Sequence, residues 1–202
     1  MGFGWLMVGY FFVSTVALYS PLAMIMLIGY PMMIIGLRLL APYHKYLKIA
    51  FFTSFLSLPF AVYFGLDAFG KVGLMPVFLP AQMFATMEWL YFVFYFLFTA
   101  LILFAITSLC GELSLSKWQE TALRNLLILG FTFALDLLIR LPIGFIAQMS
   151  GYIGLLVLLL RLVTVFLNLY LIFGCYRFIC PEGTEEEGMY DLDDLMPKEK
   201  KK

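Results

Sequence analysis

Long apolar runs separated by short polar breaks dominate the chain. Six stand out, at about 3–19, 22–40, 47–66, 83–109, 118–147 and 152–178. Most approach or exceed the ~20 residues that an α-helix needs to cross a bilayer, and few charges interrupt them. A membrane barrel would need strands of about ten residues alternating apolar with polar, and "YFVFYFLFTALILFAI" (91–106) does not alternate. Open sheets are excluded because lipid satisfies no free backbone groups. The pattern predicts an all-α, polytopic integral membrane bundle of about six transmembrane helices over residues 1–180, followed by a charged, disordered tail over 181–202.

The breaks refine this reading. Only Ser20-Pro21 separates the first two runs. A single helix from 3 to 40 would be about 57 Å long, against a ~30 Å hydrocarbon core. Pro21 and Pro31 therefore predict a hairpin, a re-entrant entry or a kink. The span count is six, or five if the first run does not cross. Ser116 with Gln119 fits a capping box at the start of the fifth helix. Lys117 and Trp118 beside it suit a membrane interface.

Composition agrees. Hydrophobic residues make up 63% of the chain and mean hydropathy is +0.97, above the ~45–50% apolar content of a soluble domain. The start, "MGFGWLMVGYFF", has no basic leader and no evident cleavage site, so it reads as a retained membrane segment. Thirteen basic and thirteen acidic residues cancel, and nothing points to nucleic acid as a partner.

Placement of the charges says more than their sum. The connection 38–48 carries Arg38, Lys45 and Lys48, the connection 110–124 carries Lys117 and Arg124, Arg177 stands at the end of the last run, and "KEKKK" closes the tail. The alternate connections, 67–82 and 147–152, carry one lysine and none. The positive-inside rule puts the basic set and both termini in the cytoplasm.

Asp136 and Arg140 stand inside the fifth run, in "FALDLLIRLPIGF". A charge at mid-bilayer costs roughly 2.5–3.5 kcal/mol on insertion scales, so both are expected to be paired and turned inward. Thr132, Asp136 and Arg140 lie at i, i+4, i+8 on one side of the fifth helix. Arg161, Thr164 and Asn168 lie at i, i+3, i+7 on one side of the sixth. A hairpin folded about 149–151 sets Thr132 against Asn168, Asp136 against Thr164, and Arg140 level with Leu160-Arg161. Pro142 would bend the fifth helix within this polar stretch. The seam has one acid and two arginines, so Glu88 of the fourth helix, another protein group or a bound anion should complete it.

Other features carry less. His44 is the sole histidine, and no HExxH, GxSxG, P-loop or GxGxxG motif is present. Asp67 and Glu88 have no spacing that makes them a catalytic pair, so enzymatic activity is disfavoured, and no metal or cofactor is implied. Cys110, Cys175 and Cys180 lie at cytoplasmic helix ends and read as reduced thiols, with lipidation the other reading. The tail pattern "MYDLDDLM" suits either a solvated tail or docking of 182–202 on a cytoplasmic protein.

The segment "SPLAMIMLIGYPMMIIGLRLLAPYHKYLKIA" (20–50) resembles the start of uncharacterised multi-pass membrane proteins of Firmicutes. The matching residues are Pro21, Gly29, Tyr30, Gly36, Leu37, Leu40, Tyr43, Lys45, Tyr46, Lys48 and Ala50, and "CYRFICPEG" (175–183) is also similar. Leu22 stands where that family often has an acid. The resemblance implies a multi-pass protein of a bacterial cytoplasmic (inner) membrane and no particular activity.

Two functional readings follow. In one, the protein is a solute- or lipid-binding or transport subunit, taking a small anionic solute or a lipid headgroup at Thr132, Asp136, Arg140, Arg161, Thr164, Asn168 and Glu88. In the other, it is a scaffold or regulator whose polar core is structural and whose acidic tail binds a partner.

Overall fold

Proline and its neighbours decide where the helices stop. The computed structural model describes residues 2–18, 20–73, 81–141 and 144–179. The tail 181–202, Cys180, Pro142 and the stretch 74–80 lie outside the described residues. Helix α1 (Gly2–Leu18) ends before Ser20-Pro21, and a short 3-10 helix (Ser20–Ile25) leads into α2 (Met26–Leu40), which runs on through Pro31.

The third run, expected as one helix over 47–66, is two: α3 (Lys45–Ser54) and α4 (Ser57–Lys71). Pro59 has no N–H to give the Phe55 carbonyl, which accepts instead from Leu58 N–H at 3.2 Å. His44 starts α3, its Nδ1 accepting from Tyr46 N–H and its Nε2 lying 3.2 Å from Glu112 Oε1. Gly73, at φ +77°, lies just past the end of α4.

Helix α5 (Ala81–Glu112) closes with Leu115 N–H bonded to the Cys110 carbonyl and Ser114 N–H to the Gly111 carbonyl. This is a Schellman ending, with Ser114 at φ +56° in the place glycine usually takes. Helix α6 (Ser116–Arg140) follows at once. Ser116 is already helical, Leu115 precedes it, and no side chain caps the first turn, so the expected Ser116–Gln119 box does not form.

Helix α6 ends at Arg140, two residues ahead of Pro142 in the chain. Leu141 is extended, at φ −74° and ψ 137°, the conformation to which a residue before proline is pushed. Helix α7 (Gly144–Ile179) begins directly after, so 147–152, expected as the turn, lies within it.

Packing joins neighbours in chain order into a closed ring: α1 on α2, α2 on α3 and α4, α3 on α5, α5 on α6, α6 on α7, and α7 back on α1. The α3 backbone lies close against α5, whereas the α4 backbone leans on α2 and the Ser20–Ile25 turn and meets α5 mainly through the rings of Phe60 and Phe64. The break before Pro59 thus leaves space between α4 and α5.

Polarity is distributed as a membrane requires. On α6, Asn125, Thr132 and Asp136 are buried while Leu127 and Phe131 are 75% and 60% exposed. Polar side chains inside and bare leucine and phenylalanine outside suit a lipid surround. Five helical stretches, 23–40, 45–71, 83–112, 116–140 and 153–179, are long and apolar enough to cross a bilayer. This is an all-helical, multi-pass membrane architecture. Helix α1, of 17 residues, is about 26 Å long and lies along α2.

The α1–α2 contact is made through glycine. A Cβ on Gly36 would come within 2.5 Å of Leu6 N and 2.8 Å of the Gly2 carbonyl oxygen. One on Gly9 would come within 2.7 Å of the Gly29 carbonyl oxygen. The backbones therefore touch at two levels, Gly2 against Gly36 and Gly9 against Gly29, in the small-residue mode that membrane helices use.

Gly174 of α7 is the floor of another close contact. A Cβ there would sit 2.2 Å from the Trp118 ring, which lies between Tyr170 and Phe178 at centroid distances of 5.7 and 5.4 Å. Trp118 is thus buried against α7 and does not reach outward as an interfacial anchor. Gly174→Ala should expel the ring, moving the Trp118 emission relative to a Trp118→Phe control and costing about 1–3 kcal/mol. An unchanged spectrum and melting temperature would contradict this packing.

Candidate ligand-binding site

The bundle ring does not close tightly at its centre. A cavity of about 470 Å³ lies among α4, α5, α6 and α7, with Ser14 of α1 and Ala23 of the 3-10 turn contributing to its wall. This falls within the ~300–1,000 Å³ usual for small-molecule sites. Its charged lining is Asp67, Lys71, Glu88, Asp136, Arg140 and Arg161, and the rest is largely aromatic.

The two stripes expected on the fifth and sixth runs, now α6 and α7, do meet. Arg161 Nη2 donates to Asp136 Oδ2. Thr132 and Thr164 hydroxyls lie 3.3 Å apart, each also within reach of a carbonyl in its own helix, so one can donate across the seam. The register differs from the expected one by a turn. Asp136 meets Arg161 instead of Thr164, and Thr132 meets Thr164 instead of Asn168. The assumed pivot at 149–151 lies within α7, so no hairpin turn there sets the register.

Asn168 leaves the seam altogether. Its Nδ2 donates to the Tyr10 hydroxyl of α1 at 2.8 Å. Asn125, not singled out in the sequence, takes a place on the α6 side, donating to the Leu167 carbonyl at 2.9 Å. Both amides fasten α7 to its two neighbours, deeper than the ion pairs.

Arg140 extends the seam to α5. Its Nη1 lies 3.1 Å from Glu88 Oε1 and its Nε 3.5 Å from Asp136 Oδ1. The guanidinium also lies over Phe92 at 4.5 Å and near Trp89 at 5.8 Å, contacts that hold it by cation–π attraction. Phe133 of α6 stacks on both Phe92 and Phe96 of α5, at 4.7 and 4.0 Å between centroids. These contacts set the spacing of α5 and α6 beside the charges. The result is a chain, Arg161–Asp136–Arg140–Glu88, in which each acid faces an arginine. Of the three candidates for balancing the second arginine, Glu88 does so.

Asp67 and Lys71 also reach this space. They pair at 2.7 Å on α4, with Lys71 over the Phe84 ring at 4.8 Å. Asp67 and Glu88, whose spacing in the sequence suggests no catalytic pair, are both helical residues on the cavity wall. Tyrosines complete the inner end: Tyr91 hydroxyl is bonded with that of Tyr30 at 3.2 Å, and Tyr95 hydroxyl donates to Ser14 Oγ at 3.4 Å. The sequence did carry a signal for them, since Glu88, Tyr91 and Tyr95 lie at i, i+3, i+7 on α5.

His44 sits away from this cavity, at the end of the bundle where α5 finishes. Cys110 and Cys175 are buried free thiols, which leaves neither open to lipidation. Among the described residues no three His, Cys, Asp or Glu side chains gather as a metal site. No protein-family model, curated protein or solved structure matches this chain.

Proposed function

We propose that this protein binds a small molecule within the membrane, as the solute- or lipid-binding subunit of a transport system, and that the cavity beside the ion-pair chain is its site. The observation that carries this reading is the cavity itself. A polar network serving only to fix helix packing gains from being closed, because its hydrogen bonds are stronger where water is kept out. Here the ionic chain borders a space large enough for a ligand, with aromatic walls to hold an apolar body.

A membrane crossing by all six segments, with both termini in the cytoplasm, is part of the proposal. Its support is charge placement. Arg38, Lys45, Lys48, Lys117, Arg124 and Arg177 gather at the bundle end where α2, α5 and α7 finish and α3 and α6 begin. Lys71 and Arg140 lie towards the other end, each matched to an acid. The positive-inside rule then directs the cavity away from the cytoplasm. The resemblance of residues 20–50 and 175–183 supports a bacterial cytoplasmic membrane as the setting.

The scaffold reading has one observation in its favour: the buried charges pair among themselves without an added ion. A cavity-filling substitution separates the two. Val165→Phe places a ring into the cavity from α7. Protein purified in a mild neutral detergent should release a bound small molecule or lipid under native mass spectrometry. The variant should carry much less of it while keeping its melting temperature. Equal loading of both proteins, or nothing released by the wild type, would favour the scaffold.

A further inference from the structure

We infer that the cavity takes a zwitterion with an apolar or aromatic body, seated between Glu88 and Arg140; this rests on the ligand-binding reading above. The walls carry opposite charge. Helices α4 and α5 contribute two acids, Asp67 and Glu88, and one lysine, Lys71; α6 and α7 contribute one acid, Asp136, and two arginines, Arg140 and Arg161. Lys71 already neutralises Asp67 at 2.7 Å, and Asp136 already engages Arg161. The surplus on one wall is therefore Glu88 and on the other Arg140, and these two meet at 3.1 Å.

That pair is the part of the chain most able to open. Glu88 keeps 47% of its side-chain surface exposed, against 11% for Asp136. Asp136, 3.5 Å from the Arg140 Nε, and Phe92 under the guanidinium keep Arg140 in place when Glu88 lets go, while its Nη1 loses its acceptor. A polar head entering beside these residues competes with the Glu88–Arg140 bond. An anion would take Arg140 and leave Glu88 unpaired, and a cation would do the reverse. Either leaves a partly buried charge without its partner, which is costly. A zwitterion exchanges one ion pair for two, with its anionic group on Arg140 and its ammonium on Glu88. Discrimination comes from what the wrong ligand leaves unsatisfied.

The rest of the cavity suits an apolar body. Phe64 meets Phe84 and Tyr91 edge-on, at 5.9 and 5.2 Å between centroids, and the Tyr91 hydroxyl is already bonded to Tyr30. This corner offers ring faces and edges without a competing free hydroxyl. An aromatic amino acid and a zwitterionic phospholipid headgroup share the required chemistry, and the test separates them.

The protein, in a neutral maltoside detergent, would be titrated calorimetrically with two matched sets. One set is L-phenylalanine, 3-phenylpropionate and 2-phenylethylamine, which share a ring and differ in charge. The other is short-chain phosphatidylethanolamine against short-chain phosphatidylglycerol. In at least one set the zwitterion should bind about ten-fold or more tightly than its singly charged counterparts. Phenylalanine winning identifies a free solute; phosphatidylethanolamine winning identifies a lipid headgroup. Glu88→Gln should move the preference towards the anion, and Arg140→Gln towards the cation. An anion or cation binding wild type as well as the zwitterion overturns the inference, as does an unchanged ranking in Glu88→Gln. Silence of both sets also overturns it, while ligand release from wild type but not Val165→Phe would still uphold the cavity as a binding site.

Discussion

Asp136→Asn should lower the unfolding free energy by about 3 kcal/mol, the low end of what is lost when one member of a buried ion pair is removed. Asp136 is the centre of the seam, engaging Arg161 through Oδ2 and lying 3.5 Å from Arg140 through Oδ1. The asparagine keeps the shape and a carbonyl oxygen but removes the charge that offsets Arg161. The low end is appropriate because Arg140 retains Glu88, and both arginine side chains keep about a quarter of their surface open, at 23% and 29%. Unfolding in mixed micelles would measure the loss, and the double variant Asp136→Asn/Arg161→Gln should recover more than half of it. Additive losses would mean that the two residues are not coupled. A cycle that closes in this way ties the seam to stability; the ligand experiments above ask a separate question of the same residues.

The membrane architecture was legible because its signal is coarse: 20-residue apolar runs tolerate errors of a turn at either end. The polar seam was legible for a different reason. Charges are expensive in an apolar run, so Asp136, Arg140 and Arg161 announce an interior face by their presence alone. Their register was not legible, since it was drawn from a turn assumed in the "AQMSGY" stretch, which is helical. The cavity was less legible still. It opens where α4, cut from α3 ahead of Pro59, meets α5 through side chains with the backbones apart, and hydropathy is unchanged by such a break. Tyr10, Ser14, Tyr30 and Tyr95 escaped notice because a tyrosine or serine in an apolar run carries no such penalty. Only three-dimensional proximity reveals that Asn168 is held by Tyr10, 158 residues away in the chain.

Gly36→Leu should be the most damaging single change outside the seam, lowering stability by roughly 3 kcal/mol or more, at or above the usual upper range for overpacking. The reason is what the new side chain meets. At Gly174 an added Cβ meets a ring that can swing away, and at Gly65 it meets the flexible Leu27 side chain. At Gly36 it meets Leu6 N at 2.5 Å and the Gly2 carbonyl oxygen at 2.8 Å, atoms of a helix backbone that cannot move singly. Helix α1 would have to shift as a body, and it carries Tyr10 to Asn168 and Ser14 to Tyr95. The glycine pairs therefore act beyond the hairpin, by setting the depth at which α1 meets α5 and α7. Gly2 and Gly9 are seven residues apart, and so are Gly29 and Gly36, which is the sequence trace of this contact. Gly130, with nothing within 4 Å of an added Cβ, is the control: Gly130→Leu should leave the melting temperature nearly unchanged or raise it, since glycine costs a helix about 1 kcal/mol. A cysteine pair placed across α1 and α2, cross-linked in wild type and not in Gly36→Leu, would show the helices parting. Cross-linking at the same rate in both would show that the close approach carries no such weight.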